Sequence, residues 1–160
     1  MPAAPPQKER DVGPDLMQVG LLSAQWAYLE NLYASAIWYF LDVLDNHNDG
    51  RLITGPFGAE KLAQLVKGLA HRKLGDPADL EIIERVTAPI KQLADERNLA
   101  VKGLREVRPD ETVVAHATRG DYKNRPQKMS SIRLQSLNNQ VSDMIDELEA
   151  LLVKHGVREV

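Results

Sequence analysis

The sequence predicts an all-α fold, an antiparallel bundle of four to five helices in a single domain over residues 15–160. Apolar residues recur at intervals of three and four along four stretches of the chain, which is the pattern of an amphipathic helix. Short segments rich in Gly, Pro, Asn and Asp separate these stretches, and short connections favour antiparallel neighbours. Residues 112–118 are the exception, because their composition predicts a short extended segment.

The first predicted helix is indicated by apolar residues that recur at helical spacing from Leu16 to Leu44. It starts either at Asp15 or near Ser23, which is a good N-cap residue. Its aromatic residues lie on more than one face. The helix is therefore either buried on most sides in its own bundle or packed against both its own core and a second subunit. The apolar residues at helical spacing are Val19, Leu22, Trp26, Leu29, Tyr33, Ile37, Phe40, Leu41 and Leu44.

Turn and cap residues divide the middle of the chain into two further predicted helices. The run at 45–50 favours turns, and a second helix follows from about Phe57 to Lys73. Asp76 is a good N-cap for a third helix, which continues to Lys102. Pro89 lies inside this third helix and has no backbone N–H, so we expect a kink near it.

The last third of the chain contains the extended segment and the closing helix. Residues 111–118 are β-prone and form either an edge strand or an extended connector. Residues 119–128 are polar and predict a loop. Ser130 or Ser131 caps a last helix that ends at about His155. Its predicted apolar face comprises Ile132, Leu137, Val141, Met144, Ile145, Leu148, Leu151 and Leu152.

The composition excludes several classes of function. The chain has no Cys, which excludes disulfides, thiol catalysis and Cys-based zinc sites. No apolar run is long enough to span a membrane, and residues 1–14 lack the apolar core of a signal peptide. We therefore expect a flexible tail over residues 1–14, a cytoplasmic location and no membrane partner. The run at 45–50 is similar to the start of a calcium loop, but His47 and Pro56 occupy its third and twelfth positions. No metal site is expected there, and no cofactor is predicted.

The charge is unevenly distributed along the chain. The formal net charge is −3, yet residues 97–133 contain nine basic and four acidic residues, a net charge of +5. This basic segment either binds a phosphate-bearing partner such as RNA or a nucleotide, or is a solvated loop. The candidate phosphate-binding residues are Arg97, Lys102, Arg105, Arg119, Lys123 and Arg125.

Two short motifs resemble those of a known superfamily. The first is Trp26-Ala27-Tyr28-Leu29-Glu30 on the first helix. The second, Glu96-Arg97-Asn98-Leu99-Ala100-Val101-Lys102-Gly103, closes the third. Together they resemble a bacterial branch of the HEPN superfamily, which carries Arg-Asn-x-x-x-His-Gly. The resemblance extends over about residues 16–155 and implies a helical bundle that forms a homodimer.

The resemblance also implies roles for individual residues. Many HEPN proteins are metal-independent ribonucleases in which the Arg binds the scissile phosphate and the polar neighbour positions groups. Arg97 and Asn98 match these two residues, whereas Lys102 replaces the His that transfers protons. The reference pKa of Lys is about 10.4 and that of His about 6.5, so Lys102 retains phosphate binding but is a poor base at neutral pH. His116 is the candidate replacement for the missing His, or else an ordinary connector residue.

Three functions therefore remain open. The first is a non-catalytic HEPN-like protein that binds RNA, a nucleotide or a protein partner. The second is a metal-independent ribonuclease in which Arg97 acts with Lys102 or His116. The third is a structural or interaction module without a ligand. An Arg97 that is buried and paired with Glu30 favours the module, and an Arg97 open to a basic groove favours binding.

Overall fold

The computed structural model describes residues 13–102, 104–107, 113–116 and 127–157. This part of the chain is mainly helical, and the predicted helical bundle is confirmed. The helices within these residues are α1 (Gly13–Phe40), α2 (His47–Thr54), α3 (Ala59–Lys73), α4 (Pro77–Thr87), α5 (Ile90–Lys102) and α6 (Ser131–Lys154). The strands are β1 (Leu104–Val107), β2 (Val113–His116) and β3 (Gln127–Met129). No helix in the part of the chain that the structure describes has both the length and the apolar character needed to cross a membrane.

Helix α1 is one uninterrupted element. The hydroxyl of Ser23 donates to the carbonyl of Val19 at 2.9 Å, so Ser23 lies inside the helix and is not its N-cap. The helix begins at Gly13, within the predicted tail, and residues 1–12 of that tail lie outside the described residues. It ends at Phe40 rather than Leu44, because Asp42 has a φ of 57° that a right-handed helix does not allow.

The run at 45–50, predicted as a turn, instead contains the start of helix α2. The side chain of Asn46 accepts a hydrogen bond from the backbone N–H of Asp49 at 3.4 Å and caps the helix. Asn is favoured both in turns and at N-caps, so its presence alone does not distinguish a turn from the start of a helix. Gly50 packs closely on the ring of Trp38, and a Cβ atom at this position would lie 2.6 Å from that ring.

The third predicted helix is divided into α4 and α5. Its start is as predicted, because the Asp76 carboxylate accepts from the backbone N–H of Ala78 at 3.0 Å and Pro77 is the first helical residue. The division falls at residues 88–89, next to the predicted position, and Ala88 keeps helical backbone angles (φ −60°, ψ −43°) with its N–H donating to the carbonyl of Glu84. Pro89 cannot donate a backbone hydrogen bond, and its carbonyl accepts from the N–H of Leu93 at 3.0 Å as α5 begins.

Helix α6 has nearly the predicted bounds. The Ser130 hydroxyl oxygen accepts from the backbone N–H of Arg133 at 3.1 Å, and His155 is the C-cap residue. One residue of its predicted apolar face is wrong, since the side chain of Ile132 is 81% exposed. Ile132 lies about 200° around the helix from the buried Leu134, which places it on the outer face.

The core lies along α1, which contacts α3, α5 and α6. The Tyr33 hydroxyl on α1 donates to the backbone carbonyl of Val86, and burial of this hydroxyl raises the pKa of Tyr33 well above its ordinary value. The largest fully buried side chains are Leu22, Leu29, Leu32, Tyr33, Ile37, Val66, Ile83, Val86, Leu93, Leu137 and Leu148. Helix α1 is therefore a central helix within its own bundle.

The helices are not uniformly antiparallel. Asp15 at the start of α1 accepts a hydrogen bond from Ser131 at the start of α6, and Tyr39 lies beside His155 at their other ends. Helices α1 and α6 therefore run in the same direction, and the antiparallel prediction is wrong for this pair. Chain neighbours joined by a short connection are constrained to be antiparallel, but most of the chain separates α1 from α6. Helix α4 does run antiparallel to α6, since Asp79 near its start contacts the end of α6.

The three strands form one antiparallel sheet in the order β1-β2-β3. Leu104 pairs with His116, and Val113 pairs with Met129. The predicted extended segment is thus a strand over residues 113–116, and it lies between two strands rather than at an edge. The predicted loop is also wrong at its end, because residues 127–128 belong to β3, while residues 117–126 lie outside the described residues.

Candidate functional site

The two motifs that carry the family resemblance meet in the structure. Arg97 lies on α5, and its guanidinium carbon is 5.8 Å from the centre of the Trp26 ring on α1. Trp26 is only 3% exposed, so its ring is fixed in the core. A guanidinium over an aromatic face is attracted by the ring quadrupole, and this contact restricts the orientation of Arg97. We refer to Arg97, Asn98 and Trp26 as the Arg97 site.

The guanidinium of Arg97 has few polar partners. Its Nη1 donates to the Oδ1 atom of Asn98 at 3.1 Å. Its Nε is buried without a hydrogen-bond partner, and no carboxylate among the described residues forms an ion pair with it. The positive charge of Arg97 is therefore not neutralised within the described part of the protein.

Glu30 does not pair with Arg97, contrary to one of the expectations for a structural module. Its Oε1 atom accepts from the Trp26 indole N–H at 3.2 Å and from the backbone N–H of Ala59 at 3.0 Å. Gly58, the N-cap residue of α3, has no side chain to cap the helix, so Glu30 takes that role from α1. Glu30 thus fixes the ring beneath Arg97 and joins α1 to α3.

Glu96, the residue before Arg97, has a structural partner. Its Oε1 accepts from Arg133 at the start of α6 and from the amide of Gln92 at 3.1 Å. Its Oε2 is buried without a hydrogen-bond partner in the structure. The contact joins the end of α5 to the start of α6 and neutralises Arg133, which is one of the nine basic residues of the segment.

The other predicted site residues are only partly placed. Lys102 is the last residue of α5, and His116 is the last residue of β2, a strand that contacts α5. Arg105 lies on β1. The side chains of these three residues lie outside the described part of the structure. Arg119, Lys123 and Arg125 lie outside the described residues altogether.

A second cluster of ionisable side chains lies at the opposite end of α1 and α6. Asp79, in the first turn of α4, has a side chain that is only 2% exposed. Its Oδ1 accepts from Lys154 at 2.6 Å, and its Oδ2 is 2.8 Å from the Nε2 of His155. The hydrogen bond from Lys154, and then that from His155, hold the pKa of the Asp79 carboxyl below its ordinary value against the effect of burial. Asp79 is therefore a buried, ionised carboxylate.

The same cluster surrounds a cavity. The Nδ1 of His155 lies 3.5 Å from the hydroxyl of Tyr39, and Lys154 also donates to Asp76 at 3.0 Å. Hydrogen bonds to Asp79 and Asp76 raise the pKa of Lys154. The cavity has a volume of about 200 Å³. We call it the distal cavity; it is lined by Tyr39, Phe40, Asp42, Lys73, Leu74, Gly75, Asp76, Asp79 and His155.

Sequence reasoning missed the distal cavity. Asp76 was predicted only as a helix cap, and His155 only as the end of the last helix. A signal was present, because Asp76 and Asp79 are three residues apart and such residues are neighbours on a helix surface. The partners come from the far end of the chain, so local patterns did not identify them.

Comparison with protein family models, with curated proteins and with solved structures found no match for this chain. The functional argument therefore depends on the two clusters themselves. They lie at opposite ends of the α1–α6 pair, since Glu96 beside Arg97 contacts the start of α6 and Asp79 contacts its end. They also differ in charge pairing, because Arg97 has no carboxylate partner among the described residues, whereas the three carboxylates of the distal cavity are paired with Lys73, Lys154 or His155.

Proposed function

We propose that this protein is a non-catalytic HEPN-like protein that binds RNA, with Arg97 as the cation that holds a phosphate. The observation that carries the proposal is the guanidinium of Arg97, which is held over Trp26 and has no carboxylate partner among the described residues. A cation without an internal counter-charge attracts an anion from solution. The mainly helical architecture and the contact between the two motifs support the HEPN-like part of the proposal.

The geometry of the Arg97 site suits a phosphate group. A guanidinium offers paired N–H donors that match two phosphate oxygens, and a stacked ring limits the conformational freedom that binding must remove. The exposed Asn98 uses its oxygen to accept from Arg97, which leaves its amide N–H groups as further donors. The basic segment 97–133 adds long-range attraction for the RNA backbone.

The proposal excludes catalysis because neither Arg97 nor Asn98 can take up a proton. Cleavage of RNA without a metal requires a group that takes the proton of the 2′-hydroxyl, and neither Arg97 nor Asn98 accepts protons at neutral pH. A lysine such as Lys102, with a reference pKa of about 10.4, is cationic at neutral pH and therefore a poor base. His116 lies on a strand that contacts α5, which keeps open the alternative of a ribonuclease that uses His116 or Lys102.

The structural-module alternative is less favoured, because other residues provide the ties between helices. Glu30 joins α1 to α3, and Glu96 joins α5 to α6. Neither contact uses Arg97. A purely structural Arg97 would be expected to form a hydrogen bond or ion pair that joins two helices, whereas its Nε has no hydrogen-bond partner in the structure.

The homodimer belongs to the same proposal. Support comes from the first part of α1, where the side chains of Leu16, Met17 and Leu21 are exposed. Exposed apolar side chains grouped on one helix are typical of an interface. Light scattering after size-exclusion chromatography tests this point, and a monomeric mass at high concentration would contradict it.

The RNA proposal is tested by fluorescence anisotropy with a short labelled single-stranded RNA. We expect salt-sensitive binding by the wild-type protein and about tenfold weaker binding by Arg97→Ala. Arg72→Ala is the matched control, because Arg72 is an exposed cation on α3, outside the Arg97 site. Absence of binding at low salt would contradict the proposal and favour the structural module.

The same samples separate binding from catalysis. The RNA is incubated with a high concentration of protein and a metal chelator, and its length is then measured on a denaturing gel. The proposal predicts intact RNA. Cleavage that persists in the chelator and disappears in Arg97→Ala would favour the ribonuclease instead, and His116→Ala and Lys102→Ala would then identify the base.

A further inference from the structure

On the basis of the proposed function, we infer that Glu30 is a positioning residue for RNA binding. It holds the Trp26 ring in the orientation on which Arg97 rests, and it thereby raises the affinity of the Arg97 site for phosphate. In the described part of the chain, no hydrogen bond or ion pair joins Glu30 directly to Arg97. Glu30 therefore acts on the guanidinium through the ring.

The carboxylate of Glu30 holds Trp26 from within the same helix. The two residues are four positions apart on α1, which places their side chains next to each other. The indole N–H of Trp26 donates to the Oε1 atom of Glu30 at 3.2 Å. Because Trp26 is only 3% exposed, bulk water does not readily replace Glu30 as the acceptor. Glu30 therefore determines the direction in which the N–H edge of the ring points.

The same oxygen of Glu30 is fixed a second time, by α3. The backbone N–H of Ala59 donates to it at 3.0 Å. A backbone N–H in the first turn of a helix has no acceptor within that helix, and Gly58 at the N-cap has no side chain to provide one. Glu30 is thus hydrogen-bonded to two helices at once, which restricts its rotamers and, through them, the ring of Trp26.

The orientation of Trp26 in turn restricts Arg97. The guanidinium carbon lies 5.8 Å from the ring centre, and the attraction requires that the cation lie over the ring face. Without Glu30, the buried indole N–H would lack an acceptor, which favours reorientation of the ring. Arg97 would then keep its charge and lose its fixed position. RNA binding would have to order the guanidinium, and this ordering lowers the affinity.

Fluorescence anisotropy with the labelled single-stranded RNA tests the inference on the full chain. We expect Glu30→Ala to bind about three- to fivefold more weakly than the wild-type protein, since this factor corresponds to one contact between a cation and a ring. Glu30→Gln keeps an acceptor oxygen on a side chain of the same length and is expected to bind as the wild-type protein does. Glu81→Ala, an exposed site on α4, is the control for loss of an acidic charge. Equal affinities for the wild-type protein and Glu30→Ala would overturn the inference.

A replacement cap for α3 separates positioning from stability. The backbone angles of Gly58, φ −88° and ψ 174°, are those of an N-cap, and a Cβ atom there would make an ordinary contact 4.0 Å from the Oε1 of Glu30. Gly58→Ser therefore supplies a neutral cap. We expect Glu30→Ala/Gly58→Ser to recover melting temperature relative to Glu30→Ala and still to bind RNA about three- to fivefold more weakly than the wild-type protein. Recovery of RNA affinity together with melting temperature would show that Glu30 acts only as a cap and would overturn the inference.

The Arg97→Ala background distinguishes failure of this inference from failure of the proposed function. If Glu30 acts through Arg97, Glu30→Ala weakens RNA binding in the wild-type background and has no further effect in Arg97→Ala. Equal weakening in both backgrounds would mean that Glu30 acts elsewhere, which overturns the inference and leaves the proposed function standing. Absence of RNA binding by the wild-type protein at low salt would overturn both.

Discussion

The two ends of the α1–α6 pair differ in whether their charged side chains are paired. At the distal cavity, the buried Asp79 is compensated by Lys154 and His155, and it joins α4 to the end of α6. At the Arg97 site, the guanidinium rests on Trp26 and has no carboxylate partner among the described residues. Charges that are buried and paired contribute to stability when their partners are retained, whereas an unneutralised charge is available to a ligand. The contrast predicts that Asp79 matters more for folding and Arg97 more for binding.

Replacement of Asp79 is expected to have the largest effect on stability. Asp79→Ala removes the shared acceptor of Lys154 and His155 from a nearly buried position, and we expect a loss of about 2–3 kcal/mol in the free energy of unfolding. Urea denaturation measures this loss. Asp143→Ala is the control, because Asp143 is exposed on α6. If both variants have the stability of the wild-type protein, Asp79 does not stabilise the distal end.

Replacement of Glu30 tests the structural part of the Arg97 end. Glu30→Ala removes the acceptor for the Trp26 indole and the cap of α3, and we expect a loss of about 1–2 kcal/mol. Urea denaturation of Glu81→Ala, an exposed site on α4, provides the comparison. A Glu30→Ala protein as stable as Glu81→Ala would mean that Glu30 neither caps α3 nor anchors the ring.

The pH dependence of stability tests the ionised state of Asp79. Its pKa is lowered in the folded protein, so its contribution is fully present above the ordinary value of 3.8 and is lost as the pH falls through the folded pKa. We therefore expect the stability difference between the wild-type protein and Asp79→Asn to shrink as the pH falls below about 4. A difference that grows as the pH falls below this value would contradict the assignment.

Replacement of Arg97 is expected to have the smallest effect on stability. Arg97→Ala removes one contact between a cation and an aromatic ring, and we expect a loss of about 0.5–1 kcal/mol. Urea denaturation of Arg97→Ala, with Arg72→Ala as the control, measures this loss. A loss as large as that of Asp79→Ala would mean that Arg97 is mainly structural and would remove the contrast between the two ends.

Local sequence patterns predicted those parts of the fold that neighbouring residues determine. The cap residues Asp76 and Ser130 marked the starts of α4 and α6, because an N-cap acts within its own first turn. Pro89 marked the position at which the predicted third helix is divided into α4 and α5. The run at 45–50 was misread, because the same residues favour a turn and the start of a helix such as α2.

Contacts between distant parts of the chain were less predictable. The shared direction of α1 and α6 is set by packing, and no short connection reveals it. The candidate Arg97 was identified from its motif, but the contact with Trp26 joins residues 71 positions apart. The pairing of Asp79 with His155 joins residues 76 positions apart, and neither residue stands in a recognisable motif. Helical periodicity indicates which face is buried and does not indicate which distant side chain lies opposite.

The most direct test of the central claim is the salt dependence of RNA affinity for the wild-type protein and Arg97→Ala, measured side by side. Each phosphate contact contributes about 0.7 to the slope of log affinity against log salt for a single strand. We predict that Arg97→Ala binds RNA about tenfold more weakly at low salt and has a slope smaller by about 0.7. Equal affinity and an equal slope for the two proteins would show that Arg97 holds no phosphate and would contradict the proposed function.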